Sequence, residues 1–142
     1  MLFRSVLVRD GEIVGEGATQ PPGEAHAEIV ALRAAGPLAR HSTLYVTLEP
    51  CSMCAGAIVL ARLGRVVYGA ADPKAGGCGS VLDVLGERRL NHRAELTGGV
   101  LAEECGEVLR EFFRNRRKAT LRLAEAGELE GPAGNDEGGG SD

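Results

Sequence analysis

The sequence predicts an α/β fold with a mixed sheet and its chemistry gathered at one end, and three observations carry that expectation. From Thr43 to Ala70 a strand-like run, a helix-like run and a second strand-like run follow one another. This β-α-β rhythm requires parallel strands joined by a crossover helix. Near the start, Asp10-Gly11 separates two strand-like runs, and that dipeptide closes tight antiparallel hairpins. Two helix-like runs also open directly after a Pro turn, each led by a residue able to bind a metal, His26 and Cys51. In open α/β sheets, loops that lead into helix starts at one sheet end are the usual place for a site.

Taken in order, Phe3 to Arg9 and Glu12 to Gly17 are the hairpin strands. Pro21-Pro22-Gly23 then breaks the chain before an apolar-periodic segment, Ile29, Val30, Leu32 and Ala34, which reads as a helix beginning near His26. Thr43 to Leu48 is the next strand. Pro50 precedes a helix carrying Met53, Ala57, Ile58, Leu60 and Ala61, and Arg65 to Ala70 returns as a strand. A Gly-rich loop, Asp72 to Ser80, leads to a short apolar piece, a strand near Ala94 to Thr97, and a basic helix from about Leu101. The sequence contains no internal repeat.

The chemistry resides in His26-Ala27-Glu28 and Pro50-Cys51-Ser52-Met53-Cys54. Three of these residues are zinc ligand types, and Glu28 is a carboxylate left over. Catalytic zinc sites take three protein ligands and leave a position to water, whereas structural sites close with four. Cys51 and Cys54, three apart in a first helical turn, share one face. Amides and the positive dipole end at such a turn favour thiolates. A lone C-x-x-C also suits a redox dithiol or half of a zinc ribbon. Neither explains the His-Ala-Glu, and Cys78 and Cys105 lack the paired spacing a ribbon needs. The whole pattern matches H-x-E and P-C-x-x-C, the signature of zinc nucleobase deaminases, in which the Glu carries protons and is not a ligand. No organic cofactor is required. The expected metal content is one Zn²⁺ per chain.

Length and charge bound the rest. A chain of 142 residues is one domain by the usual prior. We place a deaminase domain at 1–125 and an acidic, Gly-rich tail at 126–142, whose composition cannot build a core. From Glu125 onward there are six acidic residues and no Lys or Arg, so the remainder of a chain with net charge −4 carries a formal +2. Positive charge concentrates in Arg110, Arg114, Arg116, Arg117, Lys118 and Arg122. That cluster is either a phosphate-binding edge or a solvated face paired with Glu107 and Glu111. The opening residues do not form a signal peptide, and no apolar run reaches membrane-spanning length, so the expected location is the cytoplasm.

From Thr43 to about Lys118 the chain resembles the bacterial tRNA-specific adenosine deaminases. The resemblance rests on Tyr45-Val46-Thr47-Leu48-Glu49-Pro50-Cys51-Ser52-Met53-Cys54-Ala55-Gly56-Ala57, Arg65-Val66-Val67-Tyr68-Gly69-Ala70, Asp72-Pro73-Lys74-Ala75-Gly76, Asn91-His92-Arg93 and Phe112-Phe113-Arg114-Asn115-Arg116-Arg117. It implies a cytidine deaminase-like three-layer fold with a central mixed five-stranded sheet flanked by helices, and a homodimer. It also implies zinc on His26, Cys51 and Cys54, proton transfer by Glu28, and base fixation by the backbone N–H of Ala27. Asp72, Lys74, Asn91, Phe112, Phe113 and Arg114 would border a tRNA or other single-stranded nucleic acid. Gly17 to Ala25 resembles instead the deaminase domain of riboflavin biosynthesis, and Thr19 stands where the tRNA enzymes place a base-contacting Asn. Conversion of adenosine to inosine in a tRNA anticodon loop is the leading expectation. The alternatives are a cytosine or riboflavin-pathway pyrimidine deaminase, and a catalytically silent nucleic-acid-binding relative.

Overall fold

The computed structural model describes residues 4–18 and 25–127, apart from the Arg116 side chain. Thr19 and the tail beyond Gly127 therefore lie outside the described residues. Strand β1 (Arg4–Arg9) turns through Asp10 and Gly11, both at positive φ (52° and 79°), into β2 (Glu12–Ala18). Two left-handed residues in succession match the right-handed twist of the flanking strands, which is why this dipeptide closes the hairpin. Helix α1 (Ala27–Ala35) and a short 3₁₀ turn (Gly36–Ala39) lead to β3 (Thr43–Leu48). Then follow α2 (Ser52–Leu60), β4 (Arg65–Ala70), β5 (Glu95–Thr97) and the long α3 (Ala102–Glu125).

The sheet order is β2-β1-β3-β4-β5. Pairing is antiparallel from β2 through β1 to β3 and parallel from β3 through β4 to β5. The expected mixed five-stranded sheet is thus present. A register shift between Leu7 and Val8 interrupts the hairpin ladder, a bulge that no composition signal marked. Because side chains alternate across a strand, Leu7, Leu44, Val46 and Val66 share one face. They are buried there with Ala31 and Ala35 of α1 and with Ala55, Ile58 and Val59 of α2. On the opposite face of β4, Gly69 lies against Cys105 of α3. The result is three layers, with α1 and α2 on one side and α3 on the other. Among the described residues no helix is long and apolar enough to cross a membrane.

Helix α1 rests directly on β2 because the contact is made of small residues. A Cβ on Gly17 would overlap the Ala27 carbonyl, and one on Gly15 would overlap that of Ala31. Backbone cannot step aside as a long side chain can. This approach sets the height of α1, and hence of His26 and Glu28, above the sheet. Gly17→Ala is expected to destabilise the fold by about 1–3 kcal/mol, the usual range for overpacking. A urea titration checks this, and an unchanged midpoint would show that the approach is looser than described.

Candidate active site

His26 occupies the N-cap of α1 and Cys51 the N-cap of α2, both with extended backbone (φ −66°, ψ 157° and φ −72°, ψ 175°). Neither side chain caps its helix. Both are free to point at each other, and α2 delivers Cys54 one turn further on. His26 Nδ1 lies 3.6 Å from Cys51 Sγ and 3.4 Å from Cys54 Sγ. All three donor atoms fall within 4.8 Å of one another. Zn–N and Zn–S bonds of about 2.0 and 2.3 Å at a tetrahedral angle place N and S about 3.5 Å apart. The residues present therefore fit a metal ion of that kind without rearrangement.

The donors differ in exposure, and the difference sets the direction of approach. Cys54 is fully buried, while His26 and Cys51 are half-buried and line a cleft of about 380 Å³. Ser52, Met53, Ala75, Val81 and Leu82 complete its described lining. A hydrogen bond from the Cys54 thiol brings the Cys51 thiol down to about 5, and the Cys54 and Met53 amides at the start of α2 act in the same direction. Cys54 moves the other way, because its thiol donates to Cys51 and is buried.

Two buried glutamates flank the donors, with opposite surroundings. Glu28 is 3 % exposed, and its one described side-chain contact is the Cys54 thiol, which donates to Oε2 at 3.4 Å. Burial raises its carboxyl above the ordinary value, the direction that suits a group which takes up and gives back a proton. Glu49 is 2 % exposed. It accepts from the amides of Asp72 (3.1 Å), Cys78 (3.0 Å) and Ser80 (3.1 Å) and from the Ser80 hydroxyl. Burial alone would raise its carboxyl, but these hydrogen bonds outweigh burial and hold it below the ordinary value. Glu49 is thus committed as an anion, and Glu28 is the carboxyl available for proton transfer.

The structure brings His26, Ala27, Glu28, Cys51 and Cys54 together. The other expected substrate contacts lie in several parts of the fold. Asp72 is buried, and its Oδ1 accepts from the Lys74 and Ala75 amides at 3.0 and 3.2 Å, folding its own loop. Lys74 is exposed on that loop. Asn91 precedes His92, whose Nε2 contacts the Leu63 carbonyl at 2.6 Å, ahead of β4. That is the sheet end away from Cys51. Phe112 and Phe113 are half-buried on α3 as an edge-to-face pair 5.3 Å apart, and no residue of α3 is among the described lining of the cleft. Among the described residues the ion pairs are Arg4–Glu16 and Arg89–Glu87. Arg110, Arg114, Arg117, Lys118 and Arg122 are exposed, and among the described residues no ion pair joins them to Glu107 or Glu111. Sequence reasoning missed Ser52, Met53, Val81 and Leu82 as cleft residues and Glu49 as an organising residue.

A cytidine deaminase-like sheet with a His/Cys/Cys donor set and an unliganded Glu defines the class of the hydrolytic nucleobase deaminases. Comparison with known proteins agrees. The sequence matches the MafB19-like deaminase family over residues 4–117. It is 49% identical over 123 residues to the tRNA-specific adenosine deaminase of Bacillus subtilis (strain 168), covering 80% of this chain and 76% of that one. Among solved structures it is similar to one from work on A-to-I editing by tRNA:A34 deaminases, with TM-score 0.70 and 35% identity over 75% of this chain and 83% of that chain. It is also similar to a diaminohydroxyphosphoribosylaminopyrimidine deaminase/5-amino-6-(5-phosphoribosylamino)uracil reductase from Thermotoga maritima, with TM-score 0.61 and 35% identity over 73% and 31% of the two chains. The chain belongs to the MafB19-like deaminases and to the tRNA-specific adenosine deaminase family. It is an enzyme that deaminates a nucleobase.

Cys78 provides a control on the ligand set. It is 2 % exposed, and burial pushes its thiol up to about 12, leaving a fraction of about 10⁻⁴ as the reactive thiolate at pH 8. Iodoacetamide at that pH is expected to leave Cys78 unmodified in the folded protein and to label it after denaturation. Peptide mass spectrometry reads the result, and prompt labelling of the native protein would contradict this placement.

Proposed function

We propose that the protein converts adenosine to inosine in a single-stranded tRNA loop, with one Zn²⁺ per chain on His26, Cys51 and Cys54. The observation that carries this is Glu28, buried beside three donors, outside the donor set and free of any competing charge-paired role. The chemistry the ion supplies when bound is activation of water at neutral pH. Glu28 would accept a proton from the attacking water and deliver it to a ring nitrogen of the base, making the amino-bearing carbon a better electrophile. The water oxygen bonds to that carbon, Glu28 carries the remaining hydroxyl proton to the amino group, and the C–N bond breaks. Water and adenosine are consumed, and inosine and ammonia are formed. The Ala27 amide stands in the first turn of α1, where helix N–H groups lack intrahelical partners, and it is available to hold the base.

The relatives' names and the exposed cations of α3 support a nucleic-acid substrate, and a base must be unstacked to reach a cleft of this kind. Met53 and Leu60, 56 % and 85 % exposed on α2, support a homodimer in which this apolar helix face is covered. The cytoplasm is the compartment such a substrate requires. The Thermotoga maritima neighbour favours a pyrimidine deaminase as the second reading.

Two variants separate ligand from proton carrier. Cys51→Ala is expected to lose the metal, while Glu28→Gln keeps it and loses roughly 10²- to 10⁴-fold in kcat, the usual contribution of a general acid–base group. Metal analysis and turnover measured on the same samples decide it. Full zinc occupancy in Cys51→Ala, or normal turnover in Glu28→Gln, would be incompatible with these roles.

Substrate class is tested by scoring product from tRNA, adenosine-bearing and cytidine-bearing single strands, and free nucleosides in parallel. Adenosine in a tRNA loop should react best. Its KM should rise at least about tenfold between about 50 and 200 mM salt as phosphate contacts are screened. Faster, salt-insensitive turnover of a free pyrimidine would replace this reading with the second one.

A further inference from the structure

Glu49 is a buried anion close to the donors that the mechanism does not use. Its two oxygens receive four hydrogen bonds from a single loop. Oε1 takes the Asp72 amide and the Ser80 hydroxyl, and Oε2 takes the Cys78 and Ser80 amides. The loop is wrapped so closely that a Cβ on Gly76 would overlap the carboxylate. The same stretch is tied to the metal-binding end of the chain. Gly77 N–H donates to the Pro50 carbonyl at 2.7 Å, and Gly76 forms an antiparallel bridge with Cys51.

From this anchored stretch the cleft wall is hung. The Gly76 carbonyl accepts from the Val81 and Leu82 amides at 3.0 and 3.1 Å, and Gly77 accepts from Val84 at 2.9 Å. Val81 and Leu82 are 52 % and 55 % exposed, so side-chain packing does little to hold them. Their position comes from the backbone, and the backbone is held from within by Glu49. A buried anion that accepts from amide donors makes stronger hydrogen bonds than a neutral group in its place. With the carboxylate removed, three amides would lose their acceptor in a region with little access to water.

We propose that Glu49 is a positioning residue of the deaminase site: its carboxylate sets residues 72–82 and thereby holds the Val81–Leu82 cleft wall in register with the Cys51 donor. The proposal rests on the deaminase reading and adds a residue to it. Glu49 belongs neither to the donor set nor to the described lining of the cleft. It acts through the loop, and only an acceptor at both oxygens can do so. Glutamine has the same size but presents an NH₂ group to two donors in either orientation.

The test compares wild type, Glu49→Gln and Ser80→Ala, each loaded with zinc and measured well below its unfolding midpoint. Metal per chain, kcat, KM and amide exchange in residues 72–84 are read separately. Glu49→Gln is expected to keep one metal per chain and to lose at least about tenfold in kcat/KM, mainly through KM, because the cleft wall contacts the base. Exchange at the Asp72, Cys78, Ser80 and Val81 amides should speed up by a comparable factor. Ser80→Ala removes only the hydroxyl donor, so both effects should be present and smaller. A role confined to stability would lower the midpoint and leave kcat/KM of the folded, loaded enzyme unchanged, which would overturn the proposal. Wild-type exchange across the loop in Glu49→Gln would overturn it as well. If Glu49→Gln does not fold, Ser80→Ala with wild-type exchange and wild-type kcat/KM overturns it instead. Exchange is read without substrate, so failure of the tRNA reading and failure of the loop clamp give different results.

Discussion

The structure depends on one constraint, that two helices begin at the same end of the sheet with their N-cap side chains facing one another. An N-cap residue ordinarily turns its side chain back onto the helix amides. His26 does not and reaches across the gap between α1 and α2, where it meets the Cys51 thiol at the amide-rich start of α2. The parallel pairing of β3 with β4 places the start of α2 at the C-terminal ends of both strands. The hairpin then brings α1 alongside, through the close approach of Gly15 and Gly17 to its backbone. Moving either helix by about one residue, 1.5 Å of rise, would take the donors out of reach of a common ion.

Charge is partitioned around this junction by hydrogen bonding. Glu28 and Glu49 are equally buried, and burial alone would make both weak acids. What separates them is the number of donors each meets. Four hydrogen bonds hold Glu49 as an anion, whereas at Glu28 its own amide and the Cys54 thiol do not outweigh burial. One carboxyl becomes structural and the other stays available for protons. The same economy extends to Asp72, whose side chain is used on the amides of its own loop.

The legible parts of this fold are those encoded over short distances. Asp10-Gly11 specified the hairpin, and His26, Glu28, Cys51 and Cys54 were readable because each pair of them lies within one helical turn. The β-α-β rhythm was readable for the same reason, as period and turn residues are local. Glu49 was not, since its partners lie 23 to 31 residues downstream, and a single Glu before Pro-Cys has no period or spacing to mark it. The bulge at Leu7/Val8 and the 3₁₀ turn at Gly36–Ala39 are settled by packing in the same way. Asn91 illustrates the converse. Its motif is conspicuous in sequence, yet the contact of His92 with Leu63 assigns that segment to the far end of the sheet.

The central claim is that the three donors and Glu28 cooperate to add water to a base and expel ammonia. The most direct measurement is turnover of an adenosine-bearing tRNA in H₂¹⁸O, with the product nucleoside weighed and ammonia counted. The account predicts one ¹⁸O in each inosine, at the carbon that carried the amino group, and one ammonia for each. Inosine without solvent oxygen, or product formed without ammonia, would contradict it.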